Sequence, residues 1–354
     1  MVKIFASVLL LFLLARTADG AVAGAQLVEF RKIWDRAPHN AFTDLTHFNG
    51  KWYCVFREGT AHVSPDGAIR VLSTDNGFWW EPSALIKMAG YDLRDPKISV
   101  HPDGKRLMLL AGATRREDAE PATLTQSVVA FSDDGKDWGE IFTVGPPDYW
   151  LWRVSWHKNE AYAVAYDVDP GIRKEKIFGT SLFVSTNGTD FKVRVGDLYA
   201  ESGPTEATLR FGSDDTMYCL QRRDGKASSS AMLGTSKPPY TDWTWTDLET
   251  SLGGPDLIQI PDGRWIACGR MHDIGNPPAT RTVVAELDVA RGKLIPLIAL
   301  PSRGDSSYPG MLWHKGMLWI SYYSSHEGKA AIYLAKLKLS APTERNSSER
   351  GADR

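Results

Sequence analysis

Six copies of one unit recur along the chain, and this repeat constrains the fold more than any other feature of the sequence. Each unit is an apolar strand, a tight polar turn and a second apolar strand. The turns fall at Asn49-Gly50, Asp103-Gly104, Asn159-Glu160, Asp214-Asp215, Asp262-Gly263 and Lys315-Gly316. From Gly50, the steps to Gly104, Asn159, Asp215, Gly263 and Gly316 are 54, 55, 56, 48 and 53 residues. The strands that follow the turns are legible, for example Lys51-Trp52-Tyr53-Cys54-Val55-Phe56 and Ala161-Tyr162-Ala163-Val164-Ala165-Tyr166. No window of similar length carries the 3.6-residue apolar period of an amphipathic helix. Units of about 50 residues, each with room for four strands, predict an all-β six-bladed β-propeller of four-stranded antiparallel blades. A single such sheet cannot bury both of its faces, whereas six stacked around an axis can. The 13 Trp residues supply large side chains for the layers between blades.

Residues 1–23 read as a signal peptide. Lys3 precedes the apolar run from Ile4 to Leu14, and Ala21-Val22-Ala23 fits a cleavage site. The run is too short to span a bilayer, so the expectation is a secreted or periplasmic protein with no stable membrane insertion. The propeller is expected over residues 24–340. Its last unit shows three strands, ending in Ala330–Leu337, and Gln26–Phe30 can supply the fourth, tying the chain ends into one sheet. Residues 341–354 read as a disordered polar tail. A net charge of −2 gives no bulk attraction to nucleic acid. Cys54 and Cys219 occupy equivalent positions in opposite blades, too far apart to bridge, and Cys268 stands on another inner strand, so free thiols are expected.

The repeat also selects residues that share one mouth of the axis. Seven residues past each turn stand Arg57, Ala111, Tyr166, Arg222, Arg270 and Tyr323; ahead of each turn stand Asp44, Asp95, Arg153, Glu206, Asp256 and Tyr308. Three converging guanidiniums repel one another unless carboxylates or an anionic ligand offset them. Arg also suits bidentate recognition of a carboxylate, and an acidic sugar is the simplest ligand needing such a mouth. No metal motif, nucleotide-binding loop or Ser-His-Asp elbow competes, and no cofactor is expected.

A second repeat, Ser73-Thr74-Asp75-Asn76-Gly77-Phe78-Trp79-Trp80, recurs as Ser132–Trp138 and Ser185–Phe191, with a worn copy from Ser236 to Trp243. It resembles the Asp box of the sialidase superfamily, a turn whose polar groups bond the backbone of a hairpin on the face away from the mouth. With the six-fold repeat, it makes nearly the whole mature chain similar to the exo-α-sialidases. That resemblance implies a Tyr nucleophile, since the anomeric carbon of sialic acid bears a carboxylate that would repel an anionic one. Ser307-Tyr308-Pro309-Gly310 resembles the segment carrying the Tyr, and Glu206-Ala207-Thr208-Leu209 the segment carrying its activating Glu. Arg222 and Arg270 match two members of the carboxylate-binding Arg triad. Arg57 matches a further Arg near the ring substituents, with Asp95 as its partner.

Two features depart from the family pattern. The first triad Arg is absent from its register, where His39-Asn40-Ala41-Phe42 stands, leaving Arg36, Arg94 or Arg153 in its place or an incomplete triad. The loop expected to hold the acid/base Asp offers His62 and Asp66. The resulting expectation is a retaining exo-glycosidase acting on a terminal acidic sugar of a glycan, sialic acid first. The alternatives are a glycosidase for another acidic sugar, such as a uronic acid, and a silent propeller that binds glycans or protein through the same mouth.

Overall fold

A computed structural model of the protein describes residues 24–115, 124–168, 179–225, 229–273 and 279–341. The expected leader and nearly all of the expected tail lie outside the described residues. All six turns join the first two strands of a blade, the third of them one residue earlier than the sequence suggests, at Lys158-Asn159, because Glu160 already pairs with His157. Asn49-Gly50, Lys158-Asn159 and Lys315-Gly316 each have two consecutive positive φ values, the geometry that matches the twist of a two-residue hairpin. Among the described residues, 24 strands form six separate four-stranded sheets, ordered in sequence from blade 1 (His39 to Ile86) through blade 5 (Gly253 to Ala299). Blade 6 takes its three strands from Ser306 to Leu339, and its fourth is the first strand of the chain, Ala25–Trp34. That strand pairs antiparallel from Ala25↔Leu339 to Trp34↔Ile332, closing the ring as the sequence predicts. Among the described residues no helix is long and apolar enough to cross a membrane.

Apolar clusters fill the layers between successive blades. Val55, Val71, Leu93 and Leu109 join blades 1 and 2, and Ile266, Val284, Ile320 and Leu337 join blades 5 and 6. Cys54, Cys219 and Cys268 are buried and unbridged.

Every inner strand breaks its ladder at the same height. In blade 1 Ala41 pairs with Arg57 and Asp44 with Val55, so Phe42 and Thr43 together oppose Phe56. The same two-against-one step sets Asp95-Pro96 opposite Ala111 and Trp152-Arg153 opposite Val164. It also sets Thr205-Glu206 opposite Arg222, Gly254-Pro255 opposite Gly269 and Tyr308-Pro309 opposite Tyr322. These are β-bulges, which bend a strand and re-aim its side chains. Phe42, Asp95, Gly254 and Tyr308, each the first residue of its bulge, have φ of 62°, 50°, 57° and 52°. For the three non-glycine residues this left-handed backbone is costly, and the surrounding ring must hold it in place.

Just below the bulges an ion network crosses the axis. Arg153 Nη1 donates to both oxygens of Asp44 at 2.9 Å, and Arg210 Nη2 donates to Asp256 Oδ1 at 2.7 Å. Arg153 Nη2 lies 3.5 Å from Asp256 Oδ2. Asp44 also accepts the Ile98 N–H, and Asp256 the Met311 N–H. One residue from each of the six blades therefore takes part.

The four segments of the second repeat lie between the third and fourth strands of blades 1 to 4, at the far face from the bulges. The working pair is the residue three before and the residue immediately before each turn glycine. Ser132 Oγ accepts the Gly135 N–H, and Asp134 Oδ1 accepts those of Lys136 and Asp137. In blade 1 Thr74 and Asn76 do this work, one residue beyond the Ser73 and Asp75 that the sequence pattern suggests. The worn copy at Ser236 makes different bonds, to the Lys237 and Asp242 carbonyls.

Blades 6 and 1 approach closely at Gly310. A β-carbon there would fall 2.2 Å from the Leu45 nitrogen and 2.6 Å from the Asp44 backbone, neither of which can move without disturbing the axial network. Gly310→Ala is expected to destabilise the fold by about 1–3 kcal/mol or more. Urea denaturation measures this, and an unchanged midpoint would contradict the close approach.

Candidate functional site

The bulges turn a set of large side chains toward the mouth. Tyr308 stands at its centre, edge-on to Phe42 (ring centroids 5.0 Å apart) and to Trp152 (5.5 Å). Blade 5 places Gly254 at its bulge, and a β-carbon there would lie 2.7 Å from the Tyr308 ring. Only glycine both accepts that φ and leaves room for the phenol.

The Tyr308 hydroxyl donates to Glu206 Oε1 at 2.5 Å and accepts from Arg222 Nη1 at 3.1 Å. The same Nη1 lies 2.8 Å from both carboxylate oxygens, and the Gly254 N–H donates to Glu206 Oε2 at 2.7 Å. Burial opposes charge on Glu206, yet Arg222, the Tyr308 hydroxyl and the Gly254 N–H outweigh it and hold the carboxyl below its usual range. Burial and the adjacent Glu206 push the Tyr308 phenol well above its ordinary value, so it rests as a neutral donor. If the phenol loses its proton, Glu206 is positioned to receive it and Arg222 to stabilise the oxyanion.

Arg222 is fully engaged, since it also donates through Nε to Asp224 at 2.9 Å. Arg270 is held loosely, 3.4 Å from the Ser306 carbonyl and 3.7 Å from Asp305 Oδ1, with its guanidinium carbon 5.7 Å from the Tyr308 ring centroid. Both arginines line a 370 Å³ cavity with Asp224, Ser251 and Gly253, which adjoins the Tyr308 site through these two arginines.

Asp95 also belongs to this group, though by a different arrangement from the one expected. It is buried at a bulge, and its Oδ1 has no hydrogen-bond partner among the described residues. Burial pushes its carboxyl up to about 6 against the opposing pull of Lys97, Arg94 and His62, with Glu206 adding to the rise. Tyr308 feels the Asp95 charge in turn.

The expected Arg57–Asp95 pair does not form. Arg57 is fully buried and donates to Asp92 Oδ1, the Ala61 carbonyl and Ser64 Oγ, clamping the loop that follows blade 1's second strand. Asp66 is committed to that loop as well. It accepts from the Thr60 N–H and hydroxyl, and despite some burial the bonds from Ser64 and Thr60 hold it at about 2, so it cannot donate a proton near neutrality. His62 does reach the mouth, edge-on to Phe42, with Nδ1 2.9 Å from Asp305 Oδ2.

None of the three candidates for the missing triad Arg joins Arg222 and Arg270. Arg153 and Asp44 are buried and paired with each other in the axial network. Arg94 turns to the His62 carbonyl at 2.9 Å and to Asp92 Oδ2 at 3.1 Å. Arg36 is exposed and stacks 4.4 Å over Trp34, on the outermost strand of blade 6.

Sequence reasoning does not single out Phe42, Trp152, Gly254, Asp224 or Asp305 for the site. A usable signal is present, since Asp95-Pro96, Gly254-Pro255 and Tyr308-Pro309 put proline inside apolar strands at equivalent places. Proline lacks the ladder donor, so a proline in a central strand marks a bulge.

No protein-family model matches the sequence, and no curated protein matches it. Solved structures do share the fold. A Dyadobacter fermentans protein of unknown function superposes with a TM-score of 0.76 at 17% identity, covering 90% of this chain and 100% of that one. Trypanosoma rangeli sialidase, in complex with the inhibitor DANA, gives 0.63 at 12% identity over 85% of this chain and 55% of its own. The α-L-arabinofuranosidase of Fusarium graminearum gives 0.65 at 13% identity over 84% and 93%. The similarity therefore includes glycosidases with a six-bladed propeller, and this chain spans about half of the trypanosomal enzyme.

Removing Arg222 would leave Glu206 buried with its main counter-charge gone. Arg222→Ala is expected to cost about 3 kcal/mol at pH 7, the low end for a broken buried pair because the guanidinium keeps some solvent contact. Glu206 is depressed in the folded protein, so its stabilisation is present above the ordinary glutamate range and lost as the pH falls through the folded value. In the variant burial is no longer offset by Arg222, so Glu206 takes up its proton at a higher pH than in the wild type, and the gap between the two should narrow between pH 7 and pH 4. Equal gaps in urea denaturation at the two pH values would refute the coupling.

Proposed function

We propose that the protein is a retaining exo-glycosidase that removes a terminal acidic sugar from a glycan, with Tyr308 as nucleophile. The observation that carries this reading is the 2.5 Å bond from the Tyr308 hydroxyl to an ionised, buried Glu206, with Arg222 bonded to both. As the phenol oxygen attacks the anomeric carbon, its proton passes to Glu206 and Arg222 offsets the charge that develops on oxygen. A neutral phenol suits an anomeric carbon that bears a carboxylate. Arg270, with donors to spare beside the 370 Å³ cavity, suits that carboxylate.

The departing oxygen needs a proton, and Asp95 is the best-placed donor. Asp66 is locked in its turn and His62 is engaged with Asp305, whereas Asp95 is buried beside Tyr308 and Glu206 with a free oxygen. Its carboxyl, near 6, is protonated in mildly acidic solution and can release and regain a proton over one turnover. In the second half of the cycle, Asp95 takes a proton from the attacking water and Glu206 returns one to the Tyr308 oxygen.

Tyr308→Phe removes only the reacting oxygen. Hydrolysis of fluorogenic sialosides and uronides should drop by about 10³-fold or more, with ligand binding kept. An undiminished rate would sink the nucleophile assignment. Wild-type activity should rise as Glu206 ionises below the ordinary glutamate value and decline above roughly pH 6 as Asp95 loses its proton, with burial first and then Lys97, Arg94, Glu206 and His62 setting that value. Asp95→Asn should abolish the alkaline limb and lower kcat/KM by about 10²–10⁴-fold on substrates with poor leaving groups, but change kcat/KM little on activated ones, whose kcat falls because the water step has lost its base. The same limb persisting in that variant would assign the acid elsewhere.

A further inference from the structure

We infer that His39, His62 and Asp305 form a binding site for one divalent ion of the zinc class on the wall of the mouth. Their donor atoms, one from each residue, all lie within 4.8 Å of one another. Asp305 Oδ2 is 2.9 Å from His62 Nδ1 and 3.5 Å from His39 Nε2. A tetrahedral ion about 2.1 Å from each ligand needs donors roughly 3.4 Å apart, so small side-chain rotations suffice. A hydrogen-bonded cluster accounts for this geometry less well. The 2.9 Å contact fits a hydrogen bond, but 3.5 Å exceeds the usual N–H···O range, and a single carboxylate oxygen facing two imidazoles suits a shared cation.

The three ligands are held by independent parts of the fold. His39 opens the inner strand of blade 1, where the Asn40 side chain is tied to the Ala37 and Ala330 carbonyls. His62 sits in the loop clamped by Arg57, and Arg94 Nη2 donates to its carbonyl at 2.9 Å. Asp305 precedes the inner strand of blade 6, and its Oδ1 accepts the Tyr323 hydroxyl at 2.6 Å, which leaves Oδ2 turned toward the imidazoles. Such supporting bonds orient the ligands of metal sites. Two imidazoles and one carboxylate favour zinc, cobalt, nickel, manganese or ferrous iron over calcium and magnesium, which prefer oxygen ligands.

The site is open to solvent, with the His62 side chain 51% and that of Asp305 33% exposed, and three protein ligands leave a coordination position for a ligand oxygen. Phe42 separates it from the phenol, packing on His62 at 5.2 Å and on Tyr308 at 5.0 Å, and Arg270 stands 3.7 Å from Asp305. A cation here adds positive charge beside Arg270, where Arg222 is already neutralised by Glu206 and Asp224. The oxygen it would take is a carboxylate or hydroxyl of the bound sugar. That last step rests on the glycosidase reading; ion binding does not.

The test uses untagged protein stripped with a chelator and titrated with zinc by calorimetry, then with cobalt, whose visible absorption reports four-coordinate geometry. The wild type should bind one equivalent. His62→Ala, an exposed position that the fold tolerates, and Asp305→Asn should each weaken binding at least tenfold, while His314→Ala, on the opposite face, should leave it unchanged. Absence of zinc binding by the wild type at sub-millimolar zinc, or equal binding by His62→Ala, overturns the site whatever the glycosidase assays return. Loss of binding in His62→Ala with hydrolysis absent in all forms upholds the ion site and removes only the sugar ligand.

Discussion

The bulge repeated in all six inner strands is the constraint on which the rest of this structure depends. An unbroken antiparallel ladder sends alternate side chains into the two inter-blade layers and leaves the axis to short residues. Inserting one unpaired residue per strand at a common height turns a ring of side chains across the axis instead. Phe42, Asp95, Trp152, Glu206 and Tyr308 come from strands far apart in sequence and meet because each sits on its own bulge. The left-handed φ at Phe42, Asp95 and Tyr308 is the local cost, and the closed ring is what can hold it.

The ring in turn depends on the ions beneath it. Asp44, Arg153, Asp256 and Arg210 are buried or nearly so, and a buried pair adds little net stability over an apolar substitute. Its effect is geometric. Each carboxylate also accepts a backbone N–H from a neighbouring blade, Ile98 to Asp44 and Met311 to Asp256, so a slipped strand would leave a buried charge without its partner. The network fixes the rotational setting of six strands and hence the 2.5 Å contact between Tyr308 and Glu206, which are 102 residues apart. Among the described residues at the mouth, Arg270 is loosely held and one oxygen of Asp95 has no hydrogen-bond partner. Those two are the groups at the mouth best able to respond to a ligand.

Residues legible in the sequence and residues that are not divide along this same line. Tyr308, Glu206, Arg222 and Arg270 stand out in the sequence and do meet in the structure. Asp44, Arg57 and Arg153 stand out by the same count from the turns, and Asp66 by its place in the loop after Arg57. The structure instead commits Asp44 and Arg153 to each other, Arg57 to Asp92 and Asp66 to Thr60. Counting from a turn assumes an unbroken ladder. The residues picked ahead of the turns stand six to nine residues from them, and each bulge falls within that span, so some land on the bulge and others past it. Asp44 and Asp256 fall just past their bulges and point into the axial network, while Asp95 falls on its bulge and points to the mouth.

By itself the sequence determined the number of blades, the turn of every inner hairpin, the strand that closes the ring and the isolation of the three cysteines. All of these follow from local patterns, in which turn chemistry and apolar runs act over a few residues. The tertiary structure alone decided which polar residues reach the mouth and which are buried against one another. Side chains on a strand alternate with a period of two, so a single inserted residue reverses the facing of everything beyond it. Where that residue sits is set by packing across the axis among strands from all six blades, and no short stretch of sequence contains that information. His39, His62 and Asp305 converge for the same reason, each carried to the mouth by a different part of the ring.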